Sequence, residues 1–331
     1  MSCRFSPWSL RTTTLDYAQP IIMAILNVTP DSFSDGGRFR ESQDGAFAVD
    51  LDAVVDAAKK ALRDGAAILD VGGESTRPGT DPIEEAEELR RVIPVVKALR
   101  RAVDAPISVD TYRPSVAAAA LEEGAEIVND VAAGRYIESE KRFADENEEG
   151  FREEMAEVVA QYGAAVVLMH MKGAPKTMQT GKIEYPLGVV EEVCAFLERR
   201  RDAFLNAGVD EYKICYDPGL GFGKTFEQNW ELAMRSEYFR RLGGPVLYGY
   251  SRKSMLRENA RRYREECGIA PENALPDRAT LDFETGVLSA ILATKGVEVL
   301  RVHDVPGTAL ALRVAALTYN DPLVSSASIL E

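Results

Sequence analysis

Short apolar runs, each ending in polar residues and followed by a loop or a stretch of helical periodicity, recur eight times along this chain. The runs are Pro20–Leu26, Ala66–Val71, Pro106–Val109, Glu126–Val128, Ala164–Met169, Tyr212–Tyr216, Gly244–Gly249 and Val297–Leu300. Between them, helical patterns cover Gly45–Asp64, Pro82–Arg101, Arg113–Glu123, Val189–Ala207 and about Thr280–Lys295. Eight strand–helix units predict a single-domain α/β fold, a (β/α)8 TIM barrel. An open doubly wound sheet is the competitor, but no G-x-G-x-x-G follows the first run. The boundaries expected are a lead-in over 1–19, the barrel over 20–318 and a tail over 319–331. Charged insertions are expected near 134–150 and 257–276, as solvated excursions or subunit-contact helices.

With 331 residues, 46% of them hydrophobic and 28% charged, the chain can bury one large core. Its formal net charge of -14 argues against a nucleic-acid or anionic-membrane surface, so an anionic small substrate needs a local cluster of cations. Cys3, Cys194, Cys215 and Cys267 show no C-x-x-C spacing, which fits a reducing compartment and implies no zinc site. Neither a signal peptide nor a membrane span is apparent, and the cytoplasm is the expected location.

The stretch Tyr212–Thr225 is a strand that ends at Asp217 and opens into Pro218-Gly219-Leu220-Gly221-Phe222-Gly223-Lys224-Thr225. Glycines there let backbone approach a ligand, with a sharp strand-to-helix turn as the plainer explanation. Gly223-Lys224-Thr225 matches the end of a phosphate-binding loop, but the position of that pattern's first glycine is Pro218. Proline removes an N–H where phosphate contact is wanted, which argues against an ATPase or GTPase.

Nearly every strand ends in a residue able to recognise or neutralise a ligand: Asn27, Thr76 with Arg77, Asp110, Asn129, His170, Asp217, Lys253, and Arg301 with His303. Singly, each has an ordinary explanation as a helix cap or a satisfied polar group; in a barrel they meet at one mouth. Asp110, Asn129, Asp217 and Lys253 suit the edge of a flat aminopyrimidinone ring. Asn27, Arg77, Arg301 and His303, on neighbouring strands, suit a phosphate or pyrophosphate with Mg²⁺. Phe33, Pro78 and Phe222 offer apolar faces on the loops.

These residues carry a resemblance. Leu26–Gly37, Asp70–Gly79, Ser108–Thr111, Asn129–Val131, Leu168–Met171, Asp217–Lys224, Ser251–Ser254 and Arg301–Val305 stand in the order found in the dihydropteroate synthase family of pterin-binding barrels, which the sequence resembles from Ile21 to about Val314. The resemblance implies condensation of 6-hydroxymethyl-7,8-dihydropterin pyrophosphate with p-aminobenzoate in folate synthesis. It implies pterin binding by Asp110, Asn129, Asp217, Lys253 and Arg301, pyrophosphate binding by Asn27, Arg77, Arg301 and His303, and Mg²⁺ at Asn27. Phe33, Thr76, Pro78, Phe222 and Ser251 would line the p-aminobenzoate site, with Asp110, Asp217, Lys253 and Arg301 central to catalysis. A homodimer is the implied assembly, with no nucleic-acid or membrane partner.

The pterin can stabilise a methylene cation, so pyrophosphate can depart ahead of amine attack and no protein nucleophile is required. Lys172 and Ala132-Ala133-Gly134 depart from the family pattern at the mouth above the fourth strand, where they bear on substrate selectivity and the subunit interface. Two rivals remain: a pterin-dependent methyltransferase acting with a corrinoid protein, which needs no pyrophosphate site, and a non-catalytic pterin-binding paralogue.

Overall fold

The eight apolar runs are buried almost throughout, as strands covered on both faces must be. The computed structural model describes residues 7–16, 19–29, 39–41, 47–75, 80–145, 147–174, 178 and 184–319. The strands are β1 (Ile21–Asn27), β2 (Ile68–Gly72), β3 (Ile107–Asp110), β4 (Ile127–Asp130), β5 (Ala165–Met169), β6 (Ile214–Asp217), β7 (Leu247–Gly249) and β8 (Val299–Val302). All neighbours pair parallel, in the order β6-β5-β4-β3-β2-β1-β8-β7. A parallel bridge between Tyr216 and Val246, with Tyr216 N donating to Pro245 O at 2.9 Å, joins β6 to the approach of β7 and closes the ring. The protein is a (β/α)8 TIM barrel.

Helices α1 (Leu51–Arg63), α2 (Glu85–Ala102), α3 (Pro114–Glu122), α4 (Glu154–Tyr162), α5 (Val189–Asn206), α6 (Phe226–Met234), α7 (Ser254–Glu266), α8 (Arg278–Thr294) and α9 (Val305–Tyr319) complete the units. The first helix starts later than its periodicity predicts. Asp50 caps it by accepting from Ala53 N at 3.1 Å, while Phe47–Val49 pair as a strand with Phe39–Glu41. Two helices separate β7 from β8, and α7 occupies the first half of the charged 257–276 stretch. Its charges are a helical ladder: Arg261 pairs with Glu258 and Glu265, and Arg262 with Glu258. Within 134–150, Tyr136–Ile137 and Arg142–Phe143 form a small antiparallel hairpin.

The amino-terminal face of the barrel is plugged by a hairpin, Trp8–Ser9 paired with Thr14–Leu15. Trp8 is fully buried among Met23, Ile68, Val167, Cys215 and Leu247, and its Nε1 donates to Lys213 O at 3.0 Å. Burying an indole removes ~150–250 Å² from water, at most about 4–6 kcal/mol. Glu126 fastens the hairpin by accepting from Thr12 N at 3.0 Å and Thr12 Oγ1 at 2.8 Å. With that face sealed, the opposite mouth is left for chemistry.

Candidate active site

Register puts the predicted residues in one layer. Asn27 pairs with Gly72, Gly72 with Asp110, and Asp110 with Asn129, so four adjacent strands end level at the carboxyl face. A Cβ on Gly72 would lie 3.4 Å from Asn27 Oδ1 and 3.5 Å from Asp110 Cβ, so glycine keeps open the space between amide and carboxylate. Across the mouth Gly249 pairs with Arg301, and a Cβ there would stand 3.8 Å from both Asp217 Oδ2 and Arg301 Cδ.

Arg301 is held by two carboxylates: its Nε donates to Asp70 Oδ2 at 2.6 Å and its Nη2 to Asp110 Oδ2 at 2.5 Å. Asn129 Nδ2 donates to the same Asp70 oxygen at 3.2 Å. The buried Oδ1 atoms of Asp70 and Asp110 have no hydrogen-bond partner among the described residues. Burial pushes the Asp110 carboxyl up to about 7; Arg301 opposes that rise and Asp70 adds to it. Asp217 is raised for the same first reason, against the attraction of Lys253. Burial brings the Lys253 ammonium down to about 8 despite the pull of Asp217. Burial also presses on the Arg301 guanidinium, but Asp70 and Asp110 outweigh it and leave it above its ordinary value. Three carboxylates thus face two cations in a buried cup, where burial draws Asp110, Asp217 and Lys253 toward neutrality, as is common at functional sites.

The glycine loop places the next groups. Gly219 N donates to Asp217 Oδ1 at 2.7 Å, and Gly219 has φ +71°, where a Cβ would sit 1.9 Å from His170 O. Lys224 is not a phosphate ligand. It is buried, and its Nζ donates to Gly219 O at 2.8 Å, Phe222 O at 3.0 Å and His170 O at 3.2 Å, with His170 Nδ1 at 2.9 Å. His170, one of the strand-end candidates, therefore faces the loop scaffold, edge-on to Phe196 at 4.9 Å. Thr225 caps α6 in a reciprocal box with Gln228, whose backbone N donates to Thr225 Oγ1 at 3.3 Å. Gly221 N donates to Asn229 Oδ1 at 2.6 Å, tying the glycine loop to the first turn of α6.

Lys253 arrives from the turn after β7. Its Nζ donates to Leu220 O at 2.7 Å and lies 4.4 Å from the centre of the Phe222 ring. Arg252 before it adopts φ +58°, a conformation costing a non-glycine residue roughly 1–2 kcal/mol, and is held there by Asp282 of α8 at 2.7 and 3.0 Å. Ser251 Oγ accepts from His303 N at 3.2 Å and lies 3.0 Å from His303 Nδ1, tying the ends of β7 and β8 together.

Asp110, Asn129, Asp217, Lys253 and Arg301 thus line one mouth, with Asn27 beside Asp110 and with His303 and Ser251 at the β7–β8 side. Phe33, Thr76, Arg77 and Pro78 lie outside the described residues. Two polar residues of the site were not singled out from sequence. Asp70 carried a signal, an ionisable residue inside the apolar run Ile68–Val71; Lys224 stood in the demoted phosphate-loop match. No group of three or more His, Cys, Asp or Glu among the described residues is arranged to hold a metal ion, and no described helix is long and apolar enough to cross a membrane.

A barrel mouth that gathers two carboxylates, an amide, a lysine and an arginine can present complementary groups to the edge of a flat, polar heterocycle, and residues 23–303 match the pterin binding enzyme family. Among similar proteins, the dihydropteroate synthase of Haemophilus influenzae is 38% identical over 306 residues, covering 92% of this chain and 96% of that one. That of Streptococcus pyogenes is 39% identical over 284 residues, covering 86% and 90%. Among solved structures, Yersinia pestis dihydropteroate synthase in a sulfonamide drug complex superposes with a TM-score of 0.75 at 33% identity, over 95% of this chain and 99% of that one. The Xanthomonas albilineans enzyme with 4-aminobenzoic acid gives 0.72 at 35% identity, over 96% and 100%. The chain belongs to the dihydropteroate synthase family.

Proposed function

We propose that the protein is a dihydropteroate synthase, joining 6-hydroxymethyl-7,8-dihydropterin pyrophosphate to p-aminobenzoate with release of pyrophosphate. The observation that carries this reading is the convergence of Asp110, Asn129, Asp217, Lys253 and Arg301 on one mouth, in a chain of this family. In this reading Asp217, Asn129 and Asp110 take the ring's polar edge and Lys253 binds its carbonyl side. Arg301 covers the ring and, with Asn27, Arg77 and His303, receives the pyrophosphate. Phe33, Thr76, Pro78, Phe222 and Ser251 form the p-aminobenzoate site. The anionic carboxylates favour the pterin cation that forms as pyrophosphate departs, while arginine and histidine stabilise the leaving charge.

The residues fit a magnesium ion at Asn27. Its Oδ1 borders the gap that glycine at 72 keeps clear, and magnesium characteristically takes one or two protein oxygens plus substrate phosphates and water rather than an all-protein cage. Bound there, the ion would offset charge on the departing pyrophosphate.

A homodimer is supported by an apolar stripe. Phe283, Val287 and Ile291 on α8 and Leu310, Val314 and Leu317 on α9 are exposed at helical spacing, on two helices packed against each other. A cytoplasmic location is supported by Cys194 and Cys215, which sit buried as free thiols. A corrinoid-linked methyltransferase needs no pyrophosphate site, so Asn27, Arg77 and His303 disfavour that alternative. Incubation with both substrates and Mg²⁺ should yield 7,8-dihydropteroate by chromatography; its absence from a folded protein that binds pterin would refute the assignment.

A further inference from the structure

We propose that Asp70 is a positioning residue for the pterin site, holding the Arg301 guanidinium and the Asn129 amide in the orientation that receives the ring. The proposal rests on the synthase reading and concerns a residue outside the ligand-contacting set.

Asp70 is fully buried in the middle of β2, among Ile68, Leu69 and Val71, where an apolar side chain would pack without desolvating a charge. Replacing buried ion pairs by apolar groups is often neutral or stabilising, so stability alone is a poor reason for a carboxylate here. What it touches gives a better one. Two donors meet on its Oδ2: Arg301 Nε at 2.6 Å from β8 and Asn129 Nδ2 at 3.2 Å from β4.

Arg301 gives Nη2 to Asp110, so the two carboxylates take the Nε–Nη2 edge, fix the plane of the guanidinium and leave Nη1 outside the pair. At Asn129 the carboxylate allows only the donor end of the amide to face it. Oδ1 is thereby turned away as an acceptor, ready for a donor on the heterocycle. One oxygen of Asp70 therefore sets both the ring-covering cation and the direction in which the amide reads the substrate.

The test uses the full chain with Mg²⁺ in two assays: binding of the pterin pyrophosphate without amine, read without turnover, and initial rates with p-aminobenzoate. Asp70→Asn should bind the pterin about tenfold to a hundredfold more weakly than wild type while the KM for p-aminobenzoate stays unchanged. Ser108→Ala is the control: Ser108 pairs with Asp70 in register and is equally buried, with no described partner for its Oγ. It should bind pterin as wild type does. Equal pterin affinity in Asp70→Asn and wild type overturns the proposal, as does an equally large rise in the KM for p-aminobenzoate, the mark of general distortion.

If Asp70→Asn does not fold, the wild-type protein decides. The Arg301 Nε–H resonance, assigned by its loss in Arg301→Lys, should be protected from solvent exchange before and after pterin is added; rapid exchange in either state overturns the proposal. Wild type that binds no pterin would refute the synthase reading instead.

Discussion

Replacing Asp217 by Asn should cost far more turnover than the same change at Asp130, although burial raises both carboxyls. Asp130 commits both oxygens to its own turn, Oδ1 to Ala132 N at 2.8 Å and Oδ2 to Gly134 N at 2.6 Å. Asp217 Oδ1 accepts from Gly219 N at 2.7 Å, while its Oδ2 lies beside the gap at Gly249. Losing one charged hydrogen bond to the pterin costs about 1.5–3 kcal/mol, a fall of about 10- to 150-fold in kcat/KM. A second effect has its own signature. Asp217 supports the Lys253 ammonium against burial, which brings it down to about 8. Neutralising Asp217 lets that value fall further, so the alkaline limb of the rate profile moves to lower pH. Asp130→Asn should instead lose about 1–3 kcal/mol of stability and keep its alkaline limb near wild type. The assay is initial-rate pyrophosphate release across neutral and alkaline pH. Equal rates in the two variants, or an unmoved limb in Asp217→Asn, would refute the reasoning.

Wild-type kcat/KM for the pterin should rise as Asp110 ionises near pH 7 and fall as Lys253 loses its proton near pH 8, giving a narrow optimum between them; a flat profile across that window would count against charged Asp110 and Lys253. Lys224→Met leaves three buried carbonyl acceptors without their donor and should cost about 2–5 kcal/mol in urea unfolding, while ATP leaves the wild-type midpoint unmoved. Phe283→Asp combined with Val314→Asp should convert a dimer to monomer by light scattering; an unchanged mass would dismiss the α8–α9 stripe as the interface.

Much of this was legible because burial leaves its mark on sequence. Strands covered on both faces must be apolar throughout, so Ile21–Leu26 and Ala165–Met169 stand out, and the polar residues that stop them mark the mouth. Side-chain direction is less visible. His170 and Asp217 both end apolar runs, yet His170 meets Lys224 in the loop scaffold while Asp217 borders the mouth, a choice made by the left-handed turn at Gly219. Asp70 was passed over because it interrupts a strand instead of ending one, and the partner that explains it is 231 residues away. For the charges of 257–266 composition leaves a solvated excursion and a subunit-contact helix both open, and their spacing of three and four residues is that of a helix face.

The central claim is that this mouth drives departure of pyrophosphate in favour of an aryl amine. The most direct measurement is pyrophosphate release by the purified protein with Mg²⁺ and the pterin pyrophosphate, with and without p-aminobenzoate. Release that depends on the amine and matches dihydropteroate formed mole for mole is the predicted result. Pterin binding by a folded protein with no amine-dependent release would contradict it.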